Sequence, residues 1–229
     1  MPHATASLAS LVLLGLSLAP ARYGPPLLCF EFEIGQAASI DESTITAADL
    51  IPKTLASLDA SQDPLVHVET LRRATMAGMR LDREGAGGEV RLRYKLAHQL
   101  YDRALRAQLA GGSSAMPLLD IGYFVEAMNQ SYGRADVSGL PYLDKVAEIN
   151  PQDPTVHLVL AASWFMKDTS LFGKGGHERS RQEWGLAISL APEGSLIRKA
   201  AVESAKYFLG EKTADALQKA PAVPPAPKK

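Results

Sequence analysis

QDPTVH, residues 152–157, repeats QDPLVH, residues 62–67, ninety positions apart. In each copy an aspartate precedes a proline, and an apolar run at helical spacing follows. An aspartate before a helix accepts hydrogen bonds from the free N–H groups of the first turn. A proline at the first helical position has no N–H to lose and its φ is already set for a helix. The two stretches are therefore read as equivalent helix starts at Pro64 and Pro154. His67 and His157 then fall one turn in, on a face where helices meet, and are read as packing histidines.

Working outward from these starts, the periodicity gives helix after helix. Thr46, with Asp49 three residues on and an Ile45/Leu50 staple, opens a helix to about Leu58 that carries Pro52 in its early turns. From Pro64 the stripe is Leu65, Val68, Leu71, Thr75 and Met79. Gly85 to Gly88 break the chain. Residues 89–109 predict a long amphipathic helix with Leu92, Leu96, Leu100, Leu105 and Leu109, closed by GGSS at 111–114. Further helices are expected at about 118–131, 139–149, 154–167, 178–190 and 195–209. The prediction is an all-α chain with one exception. At the N-terminal end Pro25-Pro26 favours extended backbone. There Phe30, Phe32 and Ile34 share one side of an extended segment, with Glu31 and Glu33 on the other.

Asn150-Pro151 and Ala191-Pro192 each end an amphipathic helix, 41 positions apart, with the loop KDTSLFGKGGHERS between them. Without about seven loop residues the period is close to 34, the tetratricopeptide (TPR) period. Residues 120–210 resemble that family. His157, Leu160, Ala161 and Trp164 fall where it has its first-helix Trp, Leu, Gly and Tyr. Trp184 and Ala187 fall at its second-helix aromatic and Ala positions, and Pro192 closes the unit. In the preceding unit Tyr123, Ala127, Leu143 and Val146 fit, and Glu126 and Gln130 depart. A third unit from Ser195 has a first helix only. The mature chain also resembles exported bacterial proteins, of no assigned activity, that pair a GPPLLC-type segment with ETLRRA-like and GYFVEA-like stretches. Here these are Gly24–Cys29, Glu69–Ala74 and Gly122–Ala127.

The resemblance implies antiparallel helix pairs stacked as an α-solenoid, with the first helices lining a concave face. By that register the face carries Ile121, Phe124, Met128, Leu158, Ala162 and Phe165. So apolar a surface needs a cover. One candidate is the chain's own LLCFEFEI segment. The other is a protein or peptide partner, as helical-repeat grooves take. The implied function is an exported scaffold for protein–protein interaction. The alternatives are a structural protein of the cell envelope and an enzyme with a site between loop 167–180 and helix 89–109, where Lys174, His177 and Arg106 would act.

Composition agrees with a globular chain: 46% hydrophobic, 21% charged, net charge −1, which argues against general nucleic-acid affinity. Residues 31–69 hold eight acids against Lys53, and residues 72–106 hold nine bases against four acids, so the two segments are expected to face each other or solvent. Leu8–Leu18 is an apolar run too short to span a bilayer. With Ala19-Pro20-Ala21 behind it, it reads as a signal peptide cleaved near Ala21, although no Lys or Arg precedes the run. The single cysteine, Cys29, is read as a buried thiol. The expected organisation is signal peptide 1–21, extended segment 22–44, N-terminal helices 45–116, TPR-like helices 117–210 and a Pro-rich disordered tail 211–229.

Motifs of catalysis are missing from the sequence. His177-Glu178 lacks the second histidine of a zinc-protease helix, since Arg181 stands there. There is no GxSxG. Gly173-Lys174-Gly175-Gly176 lacks P-loop spacing. The five histidines show no ligand spacing. Neither a cofactor nor a metal is expected.

Overall fold

The computed structural model describes residues 26–86, 88, 91–111, 114–132, 137–169 and 176–220. Among them every regular element is a helix. The order is α1 (Pro26–Cys29), α2 (Ala47–Asp59), α3 (Pro64–Arg83), α4 (Leu92–Leu109), α5 (Ala115–Tyr132), α6 (Leu140–Ile149), α7 (Pro154–Thr169), α8 (Gly176–Leu190), α9 (Leu196–Leu209) and α10 (Glu211–Lys219). The all-α expectation holds, and no described helix is long and apolar enough to cross a membrane.

Each helix from α2 onward packs against the next, and next-but-one pairs also touch. This makes two layers. Helices α3, α5, α7 and α9 form one, and α2 with α4 and α8 with α10 lie in the other. Helix α3 also reaches α7, so the first layer curls on itself, and α1 lies against α3, α5 and α7 together.

The helix starts follow from local chemistry. Thr46 caps α2 through Asp49 N–H. Asp63 Oδ1 accepts from Leu65 N–H at 2.9 Å and Asp153 Oδ1 accepts from Thr155 N–H at 2.8 Å, so the two QDP words are built alike. Where a helix has no cap of its own, an earlier helix supplies a carboxylate. Asp82 on α3 accepts from Leu92 N–H at 2.9 Å. Glu126 on α5 accepts from Gly139 N–H at 2.7 Å, Leu140 N–H at 3.2 Å and the Ser138 hydroxyl at 3.0 Å. That bridge requires α5 and α6 to cross closely. A Cβ on Gly139 would lie 2.1 Å from the Gly122 carbonyl oxygen, so only glycine fits there.

Three boundaries differ from expectation. Pro26–Cys29 forms a helical turn, and extended chain begins after it. The unit after Ser195 has two helices, because Gly210, at φ 85, turns the chain into α10. Residues 211–219, expected to be part of the tail, are helical, with Ala214 buried. The expected signal peptide 1–21, the end of the tail at 221–229 and the Cys29 side chain lie outside the described residues.

Candidate functional site

The inner layer holds the chain's own N-terminal segment. Leu27, Leu28 and Phe32 are buried in the core, while Glu31 and Glu33 point outward, as alternation along an extended chain requires. The segment is gripped through its backbone. Gln130 Oε1 accepts from Leu27 N–H at 2.8 Å, and the Tyr123 hydroxyl donates to the Leu27 carbonyl at 2.6 Å. Arg72 donates to the Leu28 carbonyl at 3.2 Å, and Glu69 Oε2 accepts from Phe32 N–H at 3.0 Å.

The electrostatics of this grip are closed. Glu69 is fully buried and is held by Arg72 at 2.8 Å and Arg73 at 2.7 Å. Arg72 also faces Glu42 at 3.4 Å and the exposed Glu31 at 3.6 Å. Removing Glu69 would leave the buried Arg72 facing only the more exposed Glu31 and Glu42. Burial pushes the Tyr123 hydroxyl well above the usual tyrosine range, so it keeps the proton it donates. The GPPLLC, ETLRRA and GYFVEA stretches, far apart in sequence, thus meet at one place.

This geometry corrects the expected partner groove. Ile121, Phe124, Leu158, Ala162 and Phe165 are buried by the chain itself, and Met128 is partly buried against the same core. Phe165 packs against Trp184 and Phe208, with ring centroids 5.8 Å and 5.5 Å away. An incoming peptide finds no open apolar trough at these six residues. The cover comes from the chain itself: α8 and α9 pack on Phe165, and the Pro26–Cys29 turn lies against α5 and α7.

The two histidines form matching brackets. His67 Nε2 lies 3.0 Å from the Ser61 carbonyl and its Nδ1 2.7 Å from Asp120 on α5. His157 Nε2 lies 3.0 Å from the Pro151 carbonyl and its Nδ1 2.7 Å from Glu183 on α8. In both, the carbonyl belongs to the residue six positions earlier. A ring between two acceptors is satisfied on both sides only when both nitrogens carry protons. Burial opposes that charge, but the carboxylate and the carbonyl outweigh it, and both histidines are raised above their ordinary value. Burial also raises Asp120. Sequence reading placed the histidines and missed their carboxylates. Asp120, isolated in the apolar run MPLLDIGYF, was the available signal.

The expected confrontation of acidic and basic segments is also found. Asp59 meets Arg103 at 2.8 Å, and Glu69 and Glu42 meet Arg72 at 2.8 Å and 3.4 Å. Arg106, named for the enzyme alternative, is exposed on α4, which packs on α2, α3 and α5. Lys174 and the side chain of His177 lie outside the described residues. Among the described residues no three His, Cys, Asp or Glu side chains gather as a metal site.

Helix α4 presents the main surprise. Leu92, Leu96, Leu100 and Ala104 are buried. Leu105 and Leu109, expected to continue that stripe, are 40% and 78% exposed, and Tyr94 and Tyr101 are 54% and 47% exposed. Tyr94 and His98 line a shallow depression with Ile51 of α2. No protein family, curated protein or solved structure matches the chain.

Proposed function

We propose that the protein is an exported helical-repeat scaffold for protein–protein interaction, with its inner face filled in cis and its docking surface on the outer face of α4. The observation that carries this reading is the stripe Tyr94, Tyr101, Leu105 and Leu109. Scattered apolar residues on a surface need no explanation, whereas an aligned aromatic and aliphatic stripe is the pattern of a contact surface. The layered helices support the TPR-like part of the reading, and the apolar run Leu8–Leu18 followed by Ala19-Pro20-Ala21 supports export. The reading is non-catalytic. In support, both buried histidines have each ring nitrogen within hydrogen-bond distance of a protein acceptor, which leaves no ring nitrogen for a substrate.

The test is site-specific photocrosslinking in the exported fraction, with the crosslinker at position 101 or, as a control surface, at position 218 on α10. Discrete protein adducts at 101 that Leu105→Lys removes are the expected result. Identical adduct patterns at both positions, or none, would overturn the reading.

A further inference from the structure

We propose that the outer face of α4 pairs with the same face of a second copy, the two α4 helices lying antiparallel across a two-fold axis. The proposal rests on the reading of that face as a docking surface and names its occupant.

Helix α4 is apolar on two opposite sides. Leu92, Leu96 and Leu100 face its own core, and Tyr94, His98, Tyr101 and Leu105 lie on the far side. Their spacing of four, three and four is that of a seam facing another helix, where the average step is 3.5 residues. A helix with two apolar sides belongs between two layers, and this one has a layer on one side only.

The seam fits itself. Setting His98 opposite Leu105 of the second copy places Tyr94 opposite Leu109, and Tyr101 opposite Asp102. The charges agree with this register. Lys95 falls opposite Gln108 and Arg106 opposite Ala97, so no base meets a base directly. A parallel pairing would instead set Lys95, Asp102 and Arg106 each against its own copy and bring like ends of the two helix dipoles side by side, where they repel. Asp102, which holds His98 at 3.3 Å, sits in the middle of the seam.

The area sets the strength. The four exposed apolar side chains offer roughly 400 Å² per copy, about half the ~800 Å² per partner of a standard interface, and the Lys95 and Arg91 rim adds to it. The dimer should therefore be weak, with a micromolar Kd.

The experiment is sedimentation equilibrium of the full chain at concentrations up to roughly 100 μM, the weak end of specific association. Wild type should approach twice the 24.5 kDa chain mass. Leu105→Lys should weaken the dimer on the order of a hundredfold, because both copies lose a buried leucine. His98→Glu combined with Leu105→Lys should restore it to within about tenfold of wild type, because positions 98 and 105 then form two cross-axis ion pairs. A monomeric wild type, an unchanged Leu105→Lys, or a double variant no tighter than the single would each overturn the proposal. A monomer carried down by anionic vesicles would overturn it in favour of lipid. A monomer that still crosslinks to another protein at position 101 would sink the dimer and leave the scaffold reading standing.

Discussion

Leu27→Ala tests whether the N-terminal segment is part of the core. Leu27 is fully buried, and the helical turn that carries it touches three helices. A leucine deleted from a core costs about 2–5 kcal/mol, and the upper part of that range applies where the surroundings cannot collapse into the cavity. Here the backbone at Leu27 is pinned on both sides, by Gln130 at its N–H and Tyr123 at its carbonyl. The expected loss is therefore about 3–5 kcal/mol. For a chain of this size each kcal/mol lowers Tm by about 2–4 °C, so the midpoint should fall on the order of 10 °C. Urea unfolding followed by circular dichroism measures it, with Leu109→Ala, at an exposed site, as the near-silent control. Tyr123→Phe should cost about 1–2 kcal/mol, since it strands the buried Leu27 carbonyl. The same change in a chain lacking residues 26–34 should be close to neutral, because the carbonyl is gone. A Leu27→Ala protein within about 1 kcal/mol of wild type would refute the seated-segment argument, because even a fully relaxed site loses more.

Three further outcomes follow from the same contacts. His67 and His157 are both raised above 6.5, so each contributes stability that is complete below that value and is lost as pH climbs through its raised value. Tm should then fall as pH rises above about 6.5, and replacing both with Gln should flatten the slope; a flat wild-type profile would contradict the bracket. Gly139→Ala should destabilise by about 3 kcal/mol or more in urea unfolding, because its Cβ meets backbone that cannot yield. Glu126→Ala should cost about 2–3 kcal/mol, as buried N–H groups at Gly139 and Leu140 lose their acceptor, and Glu126→Gln should recover part of the loss.

Much of the helical order was readable because caps and periodicity are local. Thr46, Asp63 and Asp153 each mark a start by what a short side chain can reach, and the structure has helices there. What failed was relational. Periodicity says that Leu105 and Leu109 share a helix face, but only the neighbouring helices decide whether that face is covered. The six groove residues are legible in the sequence as apolar and in need of a cover, but not what covers them, because the covering residues, such as Trp184 and Phe208 over Phe165, lie on other helices. Glu126 departed from the repeat pattern because its task is to cap α6, a contact no period encodes. The helical turn at Pro26–Cys29 is too short to leave a periodic trace. At α10, the prolines beyond Ala220 obscured a polar helix with a single buried anchor at Ala214.

The seat of the N-terminal segment also bears on how the chain is made. Leu27 binds Gln130 across 103 positions and shares its seat with α7, which starts at Pro154. A ribosome adds about 5–20 residues per second, so the segment emerges on the order of ten seconds before its seat exists. During that interval Leu27, Leu28 and Phe32 are bare hydrophobic side chains on a growing polypeptide. They are a natural hold for a chaperone, and for a protease if none arrives. Closure around this segment comes late, when Leu27, Leu28 and Phe32 meet helices made more than a hundred residues after them. A truncated product ending before α7 would lack one wall of that seat, leaving part of the segment's apolar surface bare.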